Sequence, residues 1–121
     1  MIRVLVAENS LADRAVLVGT LRAHSGLSIV GEAGNGAEAV SMTKRLRPHV
    51  VTIGTLDRSA NLSNPIDRLT ATRHIMSDTP TPIVVTLDAN ESEQDAREVL
   101  AAGAVAVLRK PSKGAASATN T

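Results

Sequence analysis

Glu8, Thr86 and Lys110 each stand at the carboxyl end of a short apolar run that is typical of a buried strand. Carboxylates are preferred ligands of Mg²⁺, while an ammonium group and a hydroxyl group bind the oxygens of a phosphoryl group. If the runs are neighbouring parallel strands, the three side chains meet outside the carboxyl ends of the sheet, where such folds bind ligands. The simpler interpretation is that Thr86 is an ordinary β-branched strand residue and Lys110 a surface charge.

The elements that would position these residues are five apolar runs, which alternate with segments of helical spacing. The predicted strands are Ile2–Ala7, Ser28–Ala33, Val50–Ile53, Ile83–Thr86 and Ala104–Leu108. The predicted helices begin at the capping residues Ser10, Asn35 and Ser92 and at the pair Asn64 and Pro65. Leu11, Ala15, Val18 and Leu21 follow helical spacing in the first helix, and Ile66, Leu69, Arg73 and Met76 do so in the third, with Ile75 beside them. This order predicts an α/β fold in which helices cover both faces of a parallel sheet.

The composition limits the classes of function. The 121 residues include no cysteine and no Phe, Trp or Tyr, and the formal net charge is +1. The lack of cysteine excludes disulfides, thiolate metal sites and cysteine nucleophiles, and the lack of aromatic rings excludes nucleic-acid binding through base stacking. The small net charge gives no electrostatic reason to expect a nucleic acid or a membrane surface as partner. His24, His49 and His74 lie far apart in the sequence and are expected at the surface, not around a metal ion.

A single domain is predicted over residues 1–111, because a chain of this length fits one compact unit that needs no disulfide. Residues 112–121 are small and polar, without a periodic apolar face, and are predicted to form a flexible tail or linker. A fifth helix after the last strand is therefore expected to be short or absent. With no signal-peptide pattern and no span of about 20 apolar residues, the sequence predicts a cytoplasmic protein.

Segments along nearly the whole chain match, in order, those of one known family. The matching segments are Ile2–Ser10, Val30–Val40, Arg47–Ile53, Thr72–Met76, Thr79–Thr86, Leu100–Val105 and the pair Lys110 and Pro111. With them the sequence resembles the receiver domain of response regulators, and most of all the receivers of chemotaxis protein-glutamate methylesterases. The resemblance implies a flavodoxin-like, doubly wound sheet with strand order 2-1-3-4-5. It also implies a phosphorylated aspartate, Mg²⁺ held by an acidic pair, and a hydroxyl and a lysine that stabilise the phosphorylated state.

The family's functional residues are only partly present. Glu8 matches the first member of the acidic pair, Thr86 the switch hydroxyl, and Lys110 the phosphate-site lysine. Asn9 stands where the second acid should be, and Gly54 stands at the phosphoacceptor position. Glycine has no side chain to phosphorylate, and a hard cation depends on the carboxylates that these two positions no longer supply. The resemblance therefore implies a pseudo-receiver with no catalytic residue, in which Mg²⁺ binding is weak or lost.

Three further features differ from the pattern of the family or match it. Val107 stands where the family has an aromatic residue that couples to the switch hydroxyl. Lys110 and Pro111 match a Lys-Pro step whose peptide bond is typically cis. The loop 54–64 is longer than usual and contains Asp57, which is a weak alternative acceptor because phosphoryl transfer requires a nucleophile held in line.

The predicted function is that of a non-phosphorylatable interaction module, not an enzyme, in bacterial two-component or chemotaxis-like signalling. The alternatives are a receiver phosphorylated at Asp57 and the regulatory half of a methylesterase-like enzyme. Expected partners are a histidine kinase, an attached output domain, or a second copy bound on the sheet face that a fifth helix would cover. Lys110 is expected to pair with Glu8 as a partly exposed ion pair, which is usually worth about 0–1 kcal/mol.

Overall fold

The computed structural model describes residues 1–56 and 66–110, in which strands and helices alternate along the chain. The elements are β1 (Ile2–Ala7), α1 (Leu11–Arg22), β2 (Leu27–Ala33), α2 (Gly36–Leu46), β3 (Val50–Ile53), α3 (Arg68–Asp78), β4 (Ile83–Leu87), α4 (Glu93–Ala101) and β5 (Ala106–Arg109). The strands form one parallel sheet of order β2-β1-β3-β4-β5. This confirms the predicted α/β fold and the strand order 2-1-3-4-5 that the resemblance implies.

Some sequence predictions fall outside the described residues. They are the tail 112–121, the fifth helix, the cis bond at Pro111, the acceptor candidate Asp57 and most of the loop 54–64. Within the described residues no helix is long and apolar enough to cross a membrane.

Three of the predicted helix caps are present. Ser10 accepts a hydrogen bond from the Asp13 amide, and Asn35 accepts one from the Glu38 amide. At Ser92 the cap is reciprocal, because the Asp95 side chain also accepts from the Ser92 amide. These bonds satisfy amide groups that the first turn of a helix leaves without a partner, and they fix where α1, α2 and α4 begin.

Two predicted starts are wrong by two residues or more. The helix α3 does not start at Asn64 and Pro65, because its N-cap is Asp67, whose carboxylate accepts from the Thr70 amide at 2.7 Å. The strand β5 does not start at Ala104, because the Ala104 amide still donates to the Val99 carbonyl of α4 at 3.0 Å. In both cases a local hydrogen bond competes with the apolar pattern and decides the boundary.

The sheet has two differently covered faces. On one face the helices α2, α3 and α4 pack against the sheet, and the largest fully buried side chains of this core are Leu5, Ile53, Ile75, Ile83 and Leu87. On the other face Val4 and Val6 pack against Val18 of α1. The register places Thr86 and Leu108 side by side on this second face, at the β4–β5 end of the sheet.

The predicted helix faces are right in part. Val18 is buried as predicted, whereas Leu11 is 74% exposed and Ala15 is also exposed. In α3 the residue Ile75 is buried and Leu69 and Met76 pack half-buried against the core, whereas Arg73 is exposed, so the prediction for this helix is wrong at Arg73. The α3 error has a simple cause, because an arginine was counted in an apolar stripe of period 3.6.

Candidate functional site

The carboxyl ends of four neighbouring strands meet at one edge of the sheet. Glu8 follows β1, Gly54 follows β3, Thr86 lies in β4, and Lys110 follows β5. Backbone bonds extend the sheet to these residues, since the Gly54 amide donates to the Ala7 carbonyl at 2.9 Å. The Lys110 amide likewise donates to the last carbonyl of β4 at 2.7 Å. The sheet therefore brings together the three residues predicted from the strand ends and Gly54, which stands at the phosphoacceptor position that the resemblance implies.

Glu8 and Lys110 form an ion pair across this edge. The Nζ atom of Lys110 lies 2.8 Å from Oε1 of Glu8. The same oxygen accepts from the Thr55 amide at 3.2 Å, and Oε2 accepts from the Ser10 amide at 2.9 Å. The Glu8 side chain is only 3% exposed, whereas that of Lys110 is 24% exposed. The expectation of a partly exposed pair is thus wrong for the carboxylate, which is buried and hydrogen-bonded through both oxygens.

Gly54 leaves space that the Glu8 carboxylate fills. A Cβ atom built on Gly54 would overlap with Oε1 of Glu8 and would lie 2.9 Å from the carboxyl carbon of Glu8. The same point is 3.1 Å from the hydroxyl oxygen of Thr86. Glu8 therefore occupies the volume in which a longer side chain at position 54 would begin.

Two further carboxylates surround the Lys110 ammonium. Its Nζ atom lies 3.1 Å from Oδ2 of Asp13 and 3.6 Å from Oδ1 of Asp88. Burial lowers the pKa of Lys110, but the hydrogen bonds to Glu8 and Asp13 outweigh it, so the pKa is raised above its ordinary value of 10.5. Lys110 therefore carries its positive charge at neutral pH, and this charge is already engaged by acidic side chains.

Asp13 and Asp88 are site residues that the sequence analysis missed. In the sequence, Asp13 belongs to the N-terminal capping pattern of α1, and this pattern gives no indication that the side chain also contacts Lys110. Asp88 directly follows β4, which ends at Leu87 and so runs one residue beyond the predicted strand. The strand-end rule would have found Asp88 if that boundary had been correct.

The residues present do not fit the Mg²⁺ ion that the resemblance implies. Nδ2 of Asn9 donates to the Gly34 carbonyl at 3.2 Å, and this side chain offers a neutral amide oxygen instead of a carboxylate. Gly54 offers no side-chain oxygen, and Glu8 is bound to an ammonium group. Across residues 1–56 and 66–110, no group of three or more His, Asp and Glu side chains could hold a metal ion. Hard divalent cations need several free oxygen ligands, and this edge does not offer them.

The predicted site residue Val107 and the three histidines lie away from this ion pair. Val107 is half-buried and packs against the core on the face covered by α2, α3 and α4. His24, His49 and His74 are exposed, as predicted. Nδ1 of His49 accepts from the backbone amide of Arg3 at 2.9 Å, which gives this imidazole a structural role.

The loop that joins β4 to α4 is held by two arginines. Arg68 of α3 donates to both carboxylate oxygens of Glu91, and Glu91 in turn accepts from the Asp88 amide at 3.0 Å. Arg109 of β5 donates to the Glu91 carbonyl and, at 2.9 Å, to Glu93. The hydrogen bonds from Arg68 hold the pKa of Glu91 below its ordinary value of 4.5. This loop is therefore fixed to two neighbouring elements.

A cleft of about 450 Å³ opens between this loop and the start of α3. Its lining includes the carboxylates Asp67, Asp88, Glu91, Asp95 and Glu98 and a single cation, Arg68. Because Arg68 is bound to Glu91, the cleft presents net negative charge. An anionic ligand such as a phosphate ester would be repelled there.

Known proteins resemble this chain along most of its length. The profile of the response regulator receiver domain matches residues 4–118. The chain is 45% identical, over 112 residues, to protein-glutamate methylesterase/protein-glutamine glutaminase 4 of Myxococcus xanthus, with 91% of this chain and 30% of that protein covered. It is 43% identical over 113 residues to protein-glutamate methylesterase/protein-glutamine glutaminase 3 of Anaeromyxobacter dehalogenans, which it covers to 31%. The chain thus spans about a third of the length of these relatives.

Solved structures show the same fold. The response regulator domain of Thermotoga maritima CheB superposes with a TM-score of 0.78 at 33% sequence identity. The superposition covers 92% of this chain and 79% of that one. Together with the strand order and the matched residues 4–118, this similarity shows that the chain belongs to the response regulator receiver domain family.

Proposed function

We propose that this receiver domain is not phosphorylated and acts as a protein–protein interaction module in signal transduction, with no enzymatic activity of its own. The observation that carries the proposal is Gly54, which stands at the phosphoacceptor position and has no carboxylate. The Glu8 carboxylate fills the adjoining volume, so another side chain has little room to take over that place. An acyl phosphate cannot form on a glycine, because there is no side-chain oxygen to attack phosphorus.

The state of the neighbouring residues supports the same proposal. In-line phosphoryl transfer needs charge stabilisation by cations that are free to bind the transferred group. Lys110 is instead engaged by Glu8 and Asp13. We also propose that the domain needs no Mg²⁺, since Asn9 and Gly54 offer no carboxylate for it.

The partner that we propose is another signalling protein, such as a histidine kinase or an output domain, in the cytoplasm. This proposal rests on family membership and on the similarity to methylesterase receivers. The net charge of +1 and the lack of aromatic residues argue against a nucleic acid as partner.

The experiment that tests the proposal is incubation of the chain with acetyl phosphate and Mg²⁺, followed by intact-mass measurement. We expect no gain of a phosphoryl group, while a receiver domain with an aspartate at the position of Gly54 should gain one under the same conditions. A phosphoryl adduct on the wild-type chain would overturn the proposal. If that adduct disappears in Asp57→Ala, the alternative acceptor is identified.

A second candidate is that the domain regulates a methylesterase-like enzyme. The identity of 45% to the Myxococcus xanthus relative favours this candidate. Its test is calorimetric titration of the chain with the part of that relative that lies outside the receiver. Binding that is unchanged by acetyl phosphate is expected, and the absence of binding would contradict this second candidate while leaving the first intact.

A further inference from the structure

Groups that bind an anion converge on one point beside Gly54. They are the ammonium of Lys110, the amide of Thr55 and, close to the same point, the hydroxyl of Thr86. An ammonium group, a backbone amide and a hydroxyl are a set that usually stabilises a carboxylate or a phosphoryl oxygen. In this chain the anion among them belongs to the protein itself, because it is Oε1 of Glu8.

We propose that Glu8 and Lys110 are an internal ion pair that takes the place of both the acceptor carboxylate and its cation. Glu8 supplies the anion next to Gly54, and the Lys110 ammonium supplies the positive charge among Glu8, Asp13 and Asp88. Glu8 is therefore a positioning residue, and the observed placement of its carboxylate requires glycine at position 54. This inference goes beyond the absence of phosphorylation, because it states what occupies the site and which residue depends on it.

The distinctive consequence is that side chains at positions 8 and 54 compete for the same volume. A methyl group on Gly54 would overlap with Oε1 of Glu8 and would force the buried carboxylate out of its hydrogen bonds. If the Glu8 side chain is cut back to its own Cβ, the overlap is removed and the contact of 3.1 Å with Oγ1 of Thr86 remains, which is tight but is not an overlap. The effect of Gly54→Ala must therefore depend on the residue at position 8, which a double-mutant cycle measures.

The cycle compares wild type, Gly54→Ala, Glu8→Ala and the double variant by urea denaturation. We expect Gly54→Ala alone to lower the folding equilibrium constant about tenfold or more, as overpacking of a close-packed site does. In the Glu8→Ala background the same substitution should change it by less than about threefold, since the overlapping atoms are gone. If Gly54→Ala alone does not fold, recovery of folding in the double variant is the expected result.

Two controls separate shape from charge and from the general effect of glycine replacement. Glu8→Gln keeps the size of the side chain, so Gly54→Ala should remain as damaging in that background as in wild type. Gly26→Ala places a methyl group where no atom lies within 4 Å, and it should not destabilise the chain. Equal losses from Gly54→Ala in the wild-type and Glu8→Ala backgrounds, or no loss in either, would overturn the inference.

The cation half of the inference has its own measurement. Millimolar Mg²⁺ should leave the melting temperature of the wild-type chain unchanged relative to NaCl of equal ionic strength. A saturable rise in melting temperature that Glu8→Gln abolishes would show that Glu8 binds Mg²⁺ and would overturn this half. Phosphorylation of the wild-type chain would contradict the proposed function but would not alter the double-mutant cycle, so the two failures are distinguishable.

Discussion

At the scale of single residues, the informative contrast is the unequal exposure of Glu8 and Lys110. Exposed ion pairs add little stability, because water solvates both charges almost as well as the partner does. A buried carboxylate that loses its cationic partner is left with an uncompensated charge, because water does not solvate it in the same way. The Glu8 side chain is 3% exposed, so its carboxylate resembles the acid of a buried ion pair more than that of an exposed one. If Lys110 were lost, the Ser10 and Thr55 amides would still donate to this carboxylate.

Lys110→Met tests this contrast. We expect the free energy of unfolding to fall by about 2–3 kcal/mol, between the values typical of exposed and of fully buried pairs. Urea denaturation measures the change, and Lys44→Met, at an exposed position of α2, is the matched control with an expected change within about 0.5 kcal/mol. Equal effects of the two substitutions would show that the pair contributes no more than a surface charge.

A second residue-scale prediction concerns a buried hydroxyl on β3. Within the described residues, Oγ1 of Thr52 is buried and has no hydrogen-bond partner. Burying an unsatisfied hydroxyl is unfavourable, so Thr52→Val should raise the free energy of unfolding by about 1 kcal/mol. Thr43→Val is the opposite control, because Oγ1 of Thr43 donates to the Ala39 carbonyl and its loss should be destabilising. Thermal or urea denaturation gives both values, and a destabilising Thr52→Val would contradict the prediction.

The sequence predicts part of this site for a definite reason. Strand ends can be identified from apolar runs, and a parallel sheet collects them at one edge, so the positions of Glu8, Gly54 and Lys110 follow from the sequence. The burial of Glu8 does not follow, because it depends on how the side chain bends over Gly54. The contact of Asp13 with Lys110 does not follow either, since it joins residues 97 positions apart through the packing of α1.

At the scale of elements, the loop between β4 and α4 is tied to α3 and β5 through Glu91. A carboxyl group with a lower pKa in the folded than in the unfolded chain stabilises the fold at pH values above its unfolded pKa. That contribution is lost as the pH falls through the folded pKa. Because the pKa of Glu91 lies below 4.5, its contribution is present at neutral pH and disappears in more acidic solution.

Glu91→Gln should therefore destabilise the chain at neutral pH and have a smaller effect in acid. The difference in free energy of unfolding from wild type should be largest at about pH 6–7 and should shrink below about pH 4. Urea denaturation across this range measures it. Glu98→Gln, at an exposed position of α4, is the matched control for replacing a carboxylate by an amide. A pH-independent difference at Glu91 would contradict the assigned role of the carboxylate.

A local sequence pattern predicts that a helix or strand is present more reliably than it predicts the residue at which that element begins. The four predicted helices and five strands are present, since their apolar periodicity extends over several turns or residues. The start of α3 was missed because Asn64 and Pro65 are a good capping pair that competes with Asp67. The Thr70 amide donates to the Asp67 carboxylate, and the spacing of residues does not show which of the two candidate caps is used.

At the scale of the whole molecule, the two faces of the sheet are unequally covered. Among the described helices, α1 packs on the face that contains Val4 and Val6, near β1 and β2. The strands β4 and β5 lie at the far end of the sheet, where Leu108 on the same face is 58% exposed. Val84 and Ala106 pair on the same face and are partly exposed, so Leu108 extends an apolar surface there. Exposed apolar surface that is contiguous is usual at sites of association.

We expect concentration-dependent self-association at micromolar concentration, which sedimentation velocity detects. Leu108→Glu should abolish it by placing a charge in the apolar face, whereas Val16→Glu, at a 69% exposed position of α1, should leave it unchanged. A monomer at all concentrations that also fails to bind a hydrophobic dye would contradict this prediction. Equal effects of both substitutions would show that the copies associate through another surface.

The overlap between Glu8 and a side chain at position 54 also has an evolutionary meaning. If the chain is not phosphorylated, as we propose, an aspartate at position 54 alone would not restore a receiver, because its Cβ would overlap with the present position of Oε1 of Glu8. The Glu8 carboxylate would have to turn away, and the Lys110 ammonium would be left with Asp13 and Asp88. Positions 8 and 54 are therefore expected to change together in descent, as two linked characters at neighbouring strand ends.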